Sequence, residues 1–178
     1  MEISIAGIDF IKKQESCVLH AYKDSAGIWT IGYGSILFMN GDAIKKGDAI
    51  NQQLANKMLQ FEIDKKVTGI NSLLKGVDLN QNQYDAVCSF TYNCGFEALQ
   101  ISSLLKTIKN NPNDNSIISI NAVSDVSVKN WMKKNNLQTI KKIEMNFLVW
   151  NKITIDGKHI FDEGLFERRI KENKLYHL

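Results

Sequence analysis

Apolar positions recur at helical spacing along most of the chain. Ile8, Ile11 and Glu15 fall on one face of a first helix, capped by Ser4 and running to about Glu15. The pattern then changes. Tyr22, Ile28, Trp29, Thr30, Ile31 and Tyr33 are punctuated by Gly27, Gly32 and Gly34, which predicts a short strand, a turn and a return strand. Gly41 and Gly47 mark a loop. Asn51 is the expected cap of a long helix striped by Leu54, Met58 and Phe61, then by Val67, Ile70 and Leu74 after a break at Gly69. Asn80 caps the next, with Tyr84, Val87, Cys88 and Thr91 in phase and a stop at Asn93-Cys94-Gly95. Ser102 or Ser103 caps a helix striped by Ile101, Leu104, Leu105 and Ile108, which the Asn110–Asp114 run around Pro112 ends. Ile140, Ile143, Phe147 and Trp150 stripe another, a loop holds Asp156-Gly157, and Gly164 to Glu172 opens the last helix. The fold class is α+β, mostly helical, with a hairpin near the N-terminus.

Composition narrows this picture. A chain of 178 residues with 44% hydrophobic content supports one domain, or two small lobes sharing a helix. A net charge of +3 suits an anionic partner such as a bacterial wall, but without a dense Lys/Arg cluster interleaved with aromatics no nucleic acid is expected. Cys17, Cys88 and Cys94 make no disulfide framework, which fits synthesis in a reducing cytoplasm. His20, His159 and His177 show no metal-ligand spacing, and no metal is expected. The N-terminus has no recognisable signal peptide and no run of about 18 apolar residues exists, so stable membrane insertion is not expected.

The candidate chemistry lies between Glu15 and Gly34. A carboxyl group on the apolar face of a helix is partly desolvated, and desolvation keeps such a group protonated toward neutral pH, as a general acid requires. A hairpin folded back on the helix end brings Asp24 and Thr30 opposite Glu15. Two carboxyl groups in unlike environments, with a hydroxyl beside them, can divide acid and base roles. The plain alternative is a helix-terminal Glu, an exposed turn Asp and a strand Thr.

The spacing Glu15-x8-Asp24-x5-Thr30, followed by Gly32-x-Gly34, resembles the catalytic signature of the phage-type lysozymes, the muramidase endolysins of glycoside hydrolase family 24. Ala21-Tyr22 and Trp29-Thr30-Ile31-Gly32-Tyr33-Gly34 are in the same style, although Ser35 stands where many members place a His. Gln83 to Gly95, Phe147-x-x-Trp150-Asn151-Lys152 and Leu165-x-x-Arg168-Arg169-x-x-Glu172 resemble further family motifs. The resemblance implies a lysozyme-like fold: a small hairpin-containing lobe at about 1–50, a connecting helix at about 51–75 and a larger helical lobe at about 76–178, with a cleft between the lobes. It implies hydrolysis of the β-1,4 bond between N-acetylmuramic acid and N-acetylglucosamine in phage-mediated host lysis. In that reading Glu15, Asp24 and Thr30 are catalytic, Gly32, Gly34 and Asn93 touch substrate, and no cofactor is used. The partner is peptidoglycan, the protein is a monomer, and it acts on the wall after release from the cytoplasm. An antibacterial effector of the same chemistry and a catalytically silent wall-binding module are the alternatives. Arg168 and Arg169 read either as surface charge paired with Glu172 or as support for the carboxylate cluster. The segment Lys109–Thr139, rich in Asn, Ser and Lys, reads as an added surface element anchored by Trp131.

Overall fold

The computed structural model describes residues 1–24 and 26–178. The chain forms two compact units, residues 1–72 and 73–178.

The first unit opens with α1 (Ile5–Gln14), whose N-cap Ser4 accepts from the Gly7 N–H. Lys12 and Lys13 occupy its last turn, where positive charge complements the helix dipole. β1 (Val18–Lys23) and β2 (Trp29–Gly32) pair antiparallel, with Val18 opposite Gly32, Tyr22 opposite Thr30 and Lys23 opposite Trp29. A register shift falls between Val18 and Tyr22. Residues 48–50 also bond to β1, through Ala21 N–H to Asp48 O and Ile50 N–H to Leu19 O. β2 is mostly buried because Ile31 packs with Ile44 and Met58, the last from α2 (Gln52–Leu73). Asn51 caps α2 by accepting the Leu54 N–H at 2.8 Å. The expected break at Gly69 does not occur. A helical Gly costs only about 0.5–1 kcal/mol relative to Ala, less than the burial of the adjacent Ile70, 1% exposed, returns.

The second unit is built on α3 (Gln81–Cys94), in which every residue from Gln83 to Thr91 is buried. Asn80 and Gln83 form a reciprocal capping box at its start. α4 (Phe96–Ile101) and α5 (Ser103–Asn110) follow, separated by the extended backbone of Ser102, which caps α5. That interruption resets the helical phase, so Ile101 leaves the expected stripe and stands 80% exposed. β3 (Ile117–Ser119) pairs with β4 (Thr139–Lys141), and α6 (Val126–Lys134), capped by Asp125, lies between them in sequence. The segment Lys109–Thr139 therefore shares a core with the elements that follow it. Val123, Val128 and Met132 are buried with Ile140, Leu148 and Phe166, and Trp131 packs against them. α7 (Lys142–Leu148) is shorter than its stripe predicts, since Ile140 belongs to β4 and Trp150 lies beyond the helix end. The expected loop at Asp156-Gly157 is the turn of a second hairpin, β5 (Lys152–Ile155) with β6 (Lys158–Phe161). Both turn residues take positive φ, 50° and 72°, as a two-residue hairpin turn requires. α8 (Glu163–Tyr176), capped by Asp162, packs against α3 and α7. Phe90, Phe147 and Tyr176 carry this packing edge to face, with centroids 5.8–6.0 Å apart.

Candidate active site

Glu15 is the C-cap of α1. Its extended backbone turns the chain toward β1, while its N–H still donates to Ile11 O, and the residue is half-buried. Three residues later Val18 enters the hairpin opposite Gly32. Asp24 follows the last residue of β1 and is also half-buried. Its Oδ1 accepts two backbone N–H groups, from Ala26 and Ile28, each at 2.9 Å. The same residue joins Ile28 through its own N–H. The carboxylate is thus fastened through one oxygen as part of the turn. Thr30 stands opposite Tyr22, only 3% exposed, and its Oγ1 donates to Ile28 O at 3.1 Å. With its proton engaged there, the hydroxyl has lone pairs left to accept further hydrogen bonds.

Gly32 and Gly34 shape the next turn. Ile31 and Ser35 exchange N–H···O bonds at 2.9 Å, which leaves three residues to reverse the chain. Both glycines adopt positive φ, +65° and +99°, a conformation that costs an L-residue about 1–2 kcal/mol. Gly32 is buried near Ile50 and Ala55, and Gly34 is exposed. Ser35 is buried.

A polar network that the sequence did not announce holds this loop to α2. Tyr33 Oη donates to Asn56 Oδ1 at 3.1 Å and accepts from Gln52 Nε2 at 3.0 Å. Burial pushes the Tyr33 phenol above its ordinary pKa, so it remains a donor at neutral pH. The only available signal was the i,i+4 spacing of Gln52 and Asn56, which also describes an exposed helix face.

In the second unit, Arg168 and Arg169 are buried, 6% and 0% exposed, which sets aside the surface-charge alternative. Both meet Glu172, itself 0% exposed. Glu172 Oε1 accepts from Arg168 Nε and Arg169 Nη2 at 3.1 Å each and from Ser89 Oγ at 2.7 Å. Its Oε2 faces Arg169 Nε at 3.0 Å. Burial pushes the Glu172 carboxyl up, against the two guanidinium groups that hold it down. Arg169 also donates to Asn93 Oδ1 at 2.8 Å and lies over the Phe90 ring at 5.1 Å. Asn93, half-buried at the end of α3, is therefore oriented through its carbonyl oxygen, and its amide group keeps donor capacity.

Among the described residues, no group of three or more His, Cys, Asp or Glu side chains is arranged to hold a metal ion, and no helix is long and apolar enough to cross a membrane.

Comparison with known proteins gives the family. Residues 12–124 match the phage lysozyme family model. The chain is 34% identical over 176 residues to the endolysin of Acyrthosiphon pisum secondary endosymbiont phage 1, covering 99% of this chain and 98% of that protein. The Lys109–Thr139 segment falls within that length. Against the endolysin of Salmonella phage P22 it is 38% identical over 108 residues, covering 61% of this chain and 73% of that one. The endolysin from Escherichia coli O157:H7 phage FAHEc1 superimposes with a TM-score of 0.78 at 34% identity, covering 99% of this chain and 93% of the other. A mutant of P22 lysozyme superimposes with a TM-score of 0.70 at 30% identity, covering 100% and 99%. With the family model matched over more than half of its length and likeness to an endolysin over nearly all of it, this chain belongs to the phage lysozyme family.

Proposed function

We propose that the protein hydrolyses the β-1,4 bond between N-acetylmuramic acid and N-acetylglucosamine, with inversion at the anomeric carbon. As a phage lysozyme it is a peptidoglycan hydrolase of phage-mediated lysis, acting on the cell wall after release. Glu15 gives its proton to the leaving glycosidic oxygen, and the second carboxylate oxygen of Asp24 takes one from the attacking water. Thr30 holds that water. Because the Thr30 proton is committed to Ile28 O, the water must donate to Thr30, and it donates its other hydrogen to Asp24. Its lone pair is then left for the sugar. The observation that carries this reading is the anchoring of Asp24 through Oδ1 by two backbone N–H groups, its other oxygen accepting none among the described residues. The exposed Gly34 leaves the backbone beside the hairpin unobstructed for a sugar strand, Gly32 serves the substrate through the turn it shapes, and Asn93 offers its amide donor. Arg168 and Arg169 act as structural support through Glu172.

Glu15→Gln keeps the side-chain shape but has no proton to give. It should fold normally and lose about 10²–10⁴-fold in wall lysis, the usual contribution of general acid catalysis. Digestion in heavy-oxygen water separates hydrolysis from transglycosylation. Hydrolysis places the label on the new reducing end, which first forms as the α-anomer. A β-anomer, a glycosyl–Asp24 adduct or an unlabelled anhydro product would overturn the mechanism.

A further inference from the structure

α6, the end of β6 and the first turns of α8 enclose an open cavity of about 510 Å³. It shares no residue with the Glu15–Asp24–Thr30 hairpin. Its aromatic wall is a row of three: Phe166 lies between Trp131 and Phe161, with ring centroids 5.9 and 5.7 Å away. Phe166 is buried, Trp131 half-buried and Phe161 44% exposed. The β5–β6 hairpin that carries Phe161 is uncovered on both faces, leaving Ile155 and Ile160 exposed as well. Asn130, Asn135 and Glu167 add polar groups to the lining. Asn135 spends one amide hydrogen on Trp131 O and keeps its Oδ1 as an acceptor.

We infer that this cavity is a second, non-catalytic site for an N-acetylated glycan strand of the cell wall. The inference rests on the wall-hydrolase function for the polymer the protein meets, and on the cavity for the chemistry. A pyranose offers C–H faces that pack on aromatic rings, while its hydroxyl and acetamido groups need both donors and acceptors. Side-chain amides supply both kinds. The volume lies within the range of about 300–1,000 Å³ usual for ligand sites. Lys134 stands in the lining against Glu163 and Glu167, a balance that disfavours a strongly anionic polymer. A site of this kind keeps the enzyme on its polymer between cuts, since a second contact raises the effective concentration of the first.

The test uses the whole chain carrying Glu15→Gln, labelled for NMR and titrated with chitotetraose. Saturable shifts of the Trp131 indole N–H and of the Asn130 and Asn135 side-chain amides are expected. Because Trp131 also packs against the core, the exposed Phe161→Ser is the variant of choice. In the Glu15→Gln background it should bind purified sacculi with a Kd about tenfold higher, which corresponds to about 1.4 kcal/mol. In the active background, Phe161→Ser should hydrolyse a short soluble glycan like the parent. Cavity signals that stay still, signals that move only with free stem peptide, or unchanged sacculus binding by Phe161→Ser would each overturn the second site. Failure of the parent protein to lyse walls would instead strike the hydrolase function, which is read in a separate assay.

Discussion

Replacing Glu172 with Gln is the most searching perturbation of the second unit. The carboxylate is fully buried and accepts at Oε1 from Arg168, Arg169 and Ser89, while Oε2 faces Arg169 Nε. An amide turns one of those oxygens into a donor. Placed at Oε2 it meets Arg169 Nε, and placed at Oε1 it meets three donors. Either orientation sets donor against donor and takes the Glu172 charge away from two buried guanidinium groups. Breaking a buried ion pair by removing one partner costs about 3–5 kcal/mol. For a chain of this size each kcal/mol lowers Tm by about 2–4 °C, so the variant should melt about 6–20 °C below the parent. Thermal unfolding followed by circular dichroism reads this directly. A paired replacement, Arg169→Met with Glu172→Leu, should recover part of the loss by removing the uncompensated charge. A Glu172→Gln protein melting within about 2 °C of the parent would mean, at about 2–4 °C per kcal/mol, that the cluster contributes almost nothing.

Asp24→Asn retains an oxygen for the Ala26 and Ile28 N–H groups but no base, so it should keep its stability and lose about 10²–10⁴-fold in activity. Asp24→Ala should also lose stability, since each hydrogen bond is worth about 0.5–1.5 kcal/mol; equal melting of the two variants would contradict the role given to Oδ1. Asp24→Cys should retain measurable lysis where Asp24→Ala does not, and equal activities would remove the water-positioning role. Gly32→Ala should destabilise by about 1–2 kcal/mol through its positive φ alone, because the added Cβ meets Ile50 and Ala55 at ordinary contact distances of 3.5–3.6 Å; denaturant unfolding decides it. Burial pushes the Cys88 thiol up to about 12 from 9.0. The unfolded chain releases that proton first, so this group's contribution is complete below pH 9 and falls by about 1.4 kcal/mol per pH unit from there until the folded thiol also ionises, near 12. Native protein at pH 8 should accordingly be alkylated at Cys17 and spared at Cys88, and mass spectrometry showing fast modification of Cys88 would refute its burial.

The helix starts were legible because capping is a local matter of one side chain and the N–H groups two or three positions on. Ser4, Asn51, Asn80 and Ser102 all cap as their sequence context predicts. The first hairpin was legible for the same reason, with its glycines and β-branched residues close together. The second was missed although Asp156-Gly157 sits between Ile-rich flanks, the strongest short-range hairpin signal available. The burial of Arg168 and Arg169 had no local signal, since charge at i,i+3 and i,i+4 from Glu172 describes a solvated helix face equally well. What decides it is α3 lying against α8, with Ser89 and Asn93 supplying acceptors and donors from about eighty positions away. The Tyr33–Gln52–Asn56 network is likewise a product of tertiary placement.

The packing of α3 against α8 also bears on the order in which the chain can fold. α3 is buried from Gln83 to Thr91, and part of its cover, with the partner of Ser89, comes from α8, which lies far downstream of it. During vectorial synthesis, at about 5–20 residues per second, the first unit can fold while the second still waits for its closing helix. A nascent chain therefore carries a finished hairpin long before it carries a finished molecule. A chain cut before residue 163 would lack Glu172, the partner of Ser89, and would leave the α8-facing side of α3 uncovered.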